Sequence, residues 1–131
     1  MIILDTHIWV WYLTQNEKIK PETVKKINKL KAAEKVFISS ISIWEVCKLI
    51  EKNRIQFSIP LSEWLSIALS SNIYTVELSS NIFCESCMLP GEFHGDPADQ
   101  MIVATSRIME YDLITYDKKI LNYKNVKSAR S

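Results

Sequence analysis

The chain has 131 residues, 47% hydrophobic and 24% charged, with two glycines, four prolines and a formal net charge of +1. That length can bury roughly two thirds of the unfolded surface, enough for one core, so a single domain over 1–131 is expected and disordered, collagen-like and fibrous classes are excluded. The opening Met1-Ile2-Ile3-Leu4-Asp5 places an acid before any basic segment or long apolar stretch, which fits neither a secretory leader nor a membrane span, so a cytoplasmic protein without membrane contact is expected.

Ile2-Ile3-Leu4, closed by Asp5, suits a buried parallel strand. A helix follows through Ile8, Trp9, Trp11, Tyr12 and Leu13, and Pro21 marks the first turn of another whose Val24, Ile27 and Leu30 share a stripe. Val36-Phe37-Ile38 is the next strand, and Ile43 to Lys52 carries apolar residues near helical spacing. Arg54 to Ile59 reads as extended, Pro60 opens a turn, Ser62 to Leu69 is amphipathic, Ile73 to Val76 is β-rich and Ser79 to Met88 is helical. Leu89 to Gly95 is a loop, and Asp96-Pro97 starts a helix through Met109. Leu113 to Tyr116 is a strand ending at Asp117, and a short helix and an edge strand near Asn125-Val126-Lys127 complete the chain. Strands alternating with helices imply an α/β fold with a parallel sheet covered on both faces.

Four carboxylates stand out, and each has a structural alternative. Asp5 can cap the helix beginning near Thr6. Glu45 lies three residues after Ser42, the spacing of a capping box. Asp96 before Pro97 has the form of an N-cap, with Asp99 adding favourable charge to the same turn, and Asp117 can cap a helix starting at Lys118. Capping does not explain why Asp5, Glu45 and Asp117 all lie beyond the carboxyl end of a strand or on the first turn of its helix. In a parallel sheet those ends form one edge, where open α/β folds place their ligands, and Asp99 joins them if its loop returns to that edge.

Two carboxylates about 4 Å apart repel by roughly 1 kcal/mol in water and about 4 at an effective dielectric of 20. A divalent cation removes the repulsion, and oxygen donors select Mg²⁺ or Mn²⁺ over zinc. Such a set suits in-line hydrolysis of a phosphodiester, with neighbouring acids positioning or deprotonating a water. The two glycines, Gly91 and Gly95, form no phosphate-cradling or dinucleotide motif.

Ile3-Leu4-Asp5-Thr6-His7, Ser39-Ser40-Ile41-Ser42-Ile43-Trp44-Glu45-Val46, Phe93-His94-Gly95-Asp96-Pro97-Ala98-Asp99-Gln100 through Thr105, and Leu113-Ile114-Thr115-Tyr116-Asp117 jointly resemble the PIN-domain toxins of VapBC toxin–antitoxin systems, over nearly the full chain. The resemblance implies a three-layer α/β/α sandwich with a mostly parallel central sheet. It also implies Mg²⁺- or Mn²⁺-dependent endoribonuclease activity on RNA, a homodimer, and a cognate antitoxin that occludes the active-site groove. Carried over by position, Asp5 and Asp99 are the metal ligands, Glu45 and Asp117 complete the acidic cluster, and Thr6 and Thr115 match hydroxyl positions beside them. Helix geometry assigns chemistry to Asp99 and capping to Asp96. Gln100 stands where the family frequently has Arg, which touches a salt-bridge or phosphate contact and leaves the acids intact.

The alternative function is a non-catalytic PIN-fold module that binds RNA or protein. A phosphate-accepting receiver domain fits poorly, because Asp5-Thr6 is followed by a Trp-rich helix and not by a second acid.

Other signals have plainer readings. Lys18 to Lys35 are interleaved with Glu17, Glu22 and Glu34 and read as a solvated face, with phosphate steering as the alternative. Cys84 and Cys87 lie inside a helix and read as buried thiols, not as a zinc or redox pair, and disulfides are not expected. Trp9, Trp11, Trp44 and Trp64 read as core or partner-groove packing in preference to base stacking. His7 is assigned a supporting or surface role.

Overall fold

Three-residue strands are stable only when buried, and the apolar runs at Ile2–Leu4 (β1), Val36–Ser39 (β2), Tyr74–Val76 (β3) and Asp112–Ile114 (β4) join Ser128–Ala129 (β5) in one sheet of order β3-β2-β1-β4-β5. Every neighbouring pair is parallel. These positions come from a computed structural model describing residues 1–129; residues 130–131 of the expected domain lie outside the described residues. The helices are Thr6–Leu13 (α1), Pro21–Ala32 (α2), Ser40–Glu51 (α3), Leu61–Leu69 (α4), Ser80–Cys87 (α5), Pro97–Met109 (α6) and Lys118–Leu121 (α7).

Alternation along the strands divides the core into two layers. Ile2, Leu4, Val36, Ile38 and Ile114 pack with Trp9, Ile27, Val46 and Trp64 on one face. Ile3 and Leu113 pack with Ile102, Val103 and Ile120 on the other. The arrangement is the expected three-layer α/β/α sandwich. Full burial of each such side chain contributes roughly 2 kcal/mol, so the central strands hold although they are short. Pro21 and Pro97 occupy the first turns of α2 and α6, and α6 ends at Glu110 in the left-handed region, φ 57°.

Several local expectations are corrected. The cap of α3 is Ser39, whose hydroxyl accepts from Ile41 N at 3.2 Å. Ser42 is therefore inside the helix and no capping box joins it to Glu45. Segment 54–59 pairs with no strand; instead Ile55, Phe57 and Ile59 lie against the core and Phe57 stacks on Trp64 at 4.2 Å. The edge strand falls at Ser128–Ala129, just beyond the expected site. Cys84 and Cys87 are exposed thiols, not buried ones. The reason is rotational: α5 turns Ile82 and Ser86 inward, so Cys84 and Cys87 fall on its outer side. Among the described residues, no helix is long and apolar enough to cross a membrane.

Candidate active site

The strand order reverses beside β1: the chain moves from β1 out to β2 and β3, then returns to place β4 on the other side of β1. Where successive connections diverge, the carboxyl ends of the two strands leave a crevice. Asp5 follows β1, Thr115 and Asp117 follow β4, and the Asp5 N–H donates to Ile114 O at 3.0 Å, locking the two ends together.

Asp5 is buried and both of its oxygens are held. Oδ1 accepts from Thr6 N at 2.8 Å and Oδ2 from the Thr115 hydroxyl at 2.7 Å. The Thr115 oxygen in turn accepts from Asp117 N at 3.0 Å, so one buried hydroxyl fixes both acids. A second relay runs through Thr6, whose hydroxyl donates to Glu45 Oε1 at 2.5 Å and lies 2.8 Å from Ser42 Oγ. A threonine has one hydroxyl proton. With that proton on Glu45, Ser42 is the donor to Thr6. Ser42 and Glu45 sit three residues apart on α3, which puts both on the side facing α1.

Asp99 arrives on the first turn of α6. Its N–H donates to Asp96 Oδ1 at 2.8 Å, the cap assigned to Asp96 from sequence. Gly95 permits the close approach: a Cβ there would come within 2.8 Å of the Asp99 Cβ and would overlap the Phe93 ring. Asp117 also caps, accepting from Lys119 N at 2.9 Å. Thus Asp5, Asp96 and Asp117 do serve as helix caps, and they also converge; for these residues the two readings are compatible.

Asp5, Glu45, Asp96, Asp99 and Asp117 line one cavity of about 400 Å³, with His7, Ile8, Trp11, Tyr116 and Lys119 on its other walls. All four acids named from sequence are therefore brought together. Thr6 and Thr115 lie beneath them as buried supports. Sequence reasoning missed Ser42, Tyr116 and Lys119. It assigned Trp11 to packing, whereas this half-buried ring rests against the core and also borders the cavity. Trp9 and Trp64 are core residues as expected, and Trp44 is 53% exposed.

The electrostatics follow from crowding. Burial raises the Asp5 pKa against the opposing pull of the Thr115 and Thr6 hydrogen bonds. Burial also raises Glu45, offset by the Thr6 hydroxyl. Asp99 is raised from 3.8 to about 7, through burial and then the charges of Asp96, Asp5, Asp117 and Glu45. The carboxylates thus raise one another's proton affinity, against a smaller opposing effect of His7 on Asp5 and Glu45.

The donor set fits a hard divalent cation. Each Asp5 oxygen accepts one hydrogen bond and keeps further acceptor capacity, and the cavity lining offers five carboxylates with one imidazole, that of His7, and no thiolate. No three acidic, histidine or cysteine side chains form a ready-made cage among the described residues.

Comparison with known proteins places this geometry in context. The family model described as PIN domain matches residues 2–126. Ribonuclease VapC22 of Mycobacterium tuberculosis is 28% identical over 124 residues, covering 95% of this chain and 92% of that protein. The crystal structure of VapBC2 from Rickettsia felis bound to a DNA fragment from their promoter superposes with a TM-score of 0.74 at 20% identity, covering 98% of each chain. A toxin–antitoxin complex from Klebsiella pneumoniae gives a TM-score of 0.66 at 21% identity, covering 96% of this chain and 95% of that one. At these identities the structural likenesses speak for the fold.

Proposed function

Because the chain belongs to the PIN-domain family, we propose that it is a metal-dependent endoribonuclease, the toxin of a toxin–antitoxin pair, built as a single PIN domain. The observation that carries the reading is the convergence of Asp5, Glu45, Asp99 and Asp117 on one cavity at the strand-order reversal. The 28% identity to a protein named as a ribonuclease supports the reaction class.

Asp5 and Asp99 would hold Mg²⁺, with Mn²⁺ as the alternative ion. When bound, such an ion offsets the carboxylate charges, polarises a phosphoryl oxygen and makes a coordinated water more acidic. Asp5 is pre-set for its role because Thr6 and Thr115 leave it a single orientation. Glu45, steadied by Thr6 and with its proton affinity raised by burial, is placed to accept the proton of the attacking water. Asp117 spends one oxygen on the α7 cap and adds negative charge to the cavity wall. Asp96 positions Asp99 through its backbone N–H and raises the Asp99 pKa. The partners are an RNA substrate, a second copy of the chain, and a cognate antitoxin whose binding covers the groove; two of the solved structures it resembles are of toxin–antitoxin systems.

Expression in a bacterial host tests the proposal as a whole. Growth should stop on induction, resume when the small open reading frame beside the gene is co-expressed, and continue undisturbed for Asp5→Asn. Growth arrest that persists in Asp5→Asn would remove the carboxylate chemistry from the explanation.

A further inference from the structure

One wall of the acidic cavity is aromatic, and nothing in phosphodiester hydrolysis requires that. His7 and Trp11 lie one helical turn apart on α1 with ring centroids 5.7 Å apart, and Tyr116, reaching in from the end of β4, stands 6.2 Å from Trp11. All three border the same cavity as the carboxylates. Two of the three rings are held in place. Trp11 and Tyr116 pack against the core on their inner sides, and the Tyr116 hydroxyl is held 2.6 Å from Thr23 Oγ1 and 3.0 Å from Lys20 N.

Two cations flank this wall. The ammonium of Lys18 lies 5.7 Å from the Trp11 ring centroid and that of Lys20 lies 5.2 Å from that of Tyr116. The ion pairs among the described residues are Lys48–Glu51, His94–Glu92 and Arg107–Glu85. Lys18 and Lys20 are exposed and face rings, not carboxylates. They are therefore free to exchange a weak ring contact for a phosphate.

We propose that His7, Trp11 and Tyr116 form a stacking subsite for an unpaired base of single-stranded RNA, with Lys18 and Lys20 on the neighbouring phosphates. The inference deepens the nuclease reading and rests on it for the identity of the strand. Carboxylates and aromatic rings line the same cavity, so a nucleotide can turn its backbone to the acids and its base to the rings. A duplex cannot use the wall, because its bases are already stacked and paired, whereas aromatic faces accept unpaired bases with little regard to sequence. The preorganised rings lose little freedom on binding.

Binding in EDTA, where no strand is cut, tests the wall separately from catalysis. The probes are a labelled mixed-sequence oligoribonucleotide, its duplex form, and an abasic ribose-phosphate strand of the same length and charge. Wild type should prefer the single strand to both others. Trp11→Leu should weaken single-strand binding about 5- to 150-fold and leave the abasic strand unchanged, with Trp11→Phe retaining most of the affinity. Lys18→Gln with Lys20→Gln, both at exposed positions, should instead weaken the base-bearing and abasic strands alike and flatten the salt dependence. The subsite is refuted if wild type shows no preference for bases or binds no RNA, if Trp11→Leu affects both strands equally or neither, or if it weakens only the antitoxin. Base preference without metal-dependent cleavage would keep the subsite and reject the nuclease reading; cleavage without base preference would do the reverse.

Discussion

Replacing Asp99 by Asn should stabilise the metal-free protein at neutral pH. In the folded chain the Asp99 pKa stands at about 7 against an ordinary 3.8. That is a factor of about a thousand in proton affinity, or about 4 kcal/mol as a ceiling. Solvent at the mouth of the cavity screens the charge and reduces the usable figure to about 1–2 kcal/mol. Between pH 3.8 and about 7 the native state holds a proton that the unfolded chain has released, so stability falls as pH rises through this window and levels off above it. Asn carries no charge and lacks this slope; Asp5 and Glu45 leave a slope of the same sign, since both are raised as well. In thermal unfolding with EDTA at pH 8, Asp99→Asn should melt about 3–8 °C above wild type, and the two should approach each other near pH 4. With Mg²⁺ the order should narrow or invert, because only wild type gains from the ion. Equal melting temperatures at pH 8 in EDTA, or a wild type that gains stability between pH 4 and 7 relative to Asp99→Asn, would refute the account of crowded charge.

Other perturbations separate the supports from the acids. Thr115→Val removes the donor to Asp5 and the acceptor for Asp117 N, and should cost about 1–3 kcal/mol in a urea titration and reduce cleavage, with Thr115→Ser restoring most of both. Asp96→Asn should keep the α6 cap and lower the Asp99 pKa by removing a neighbouring charge, detectable as a shift of the Asp99 carboxyl titration in NMR. Asp96→Ala should lose about 1 kcal/mol of stability as well. Gly95→Ala forces Phe93 or Asp99 aside and should lower the cleavage rate by about 100-fold if Asp99 moves by about 1 Å, measured by single-turnover cleavage.

The acids were legible because the physics that places them is local. Each of Asp5 and Asp117 closes a segment that begins as a short apolar strand, and parallel pairing gathers those strand ends on one edge whatever their separation in sequence. Asp99 was separable from Asp96 because Pro97 fixes the helix start and hence the cap. The supports were harder to see: Ser42 looked like a cap until Ser39 took that place one turn earlier. Trp9 and Trp11 show why the aromatic wall was missed. Two residues of helix turn a side chain by about 200°, so adjacent tryptophans in one apolar run face opposite ways. Trp9 is fully buried and Trp11 borders the cavity, but which of them faces the core depends on the sheet lying beneath α1. The same rotation sends Cys84 and Cys87 outward although their helix is well marked.

If Asp5 and Asp99 carry metal-dependent RNA hydrolysis, the activity must need both side chains and the ion. The decisive experiment incubates purified, antitoxin-free protein with a mixed cellular RNA pool and Mg²⁺ or Mn²⁺, beside EDTA, Asp5→Asn and Asp99→Asn controls of verified fold. Discrete cleavage products that vanish in all three controls are the predicted result. Cleavage that survives in EDTA or in either variant, or no cleavage by the folded, metal-loaded wild type, would contradict it.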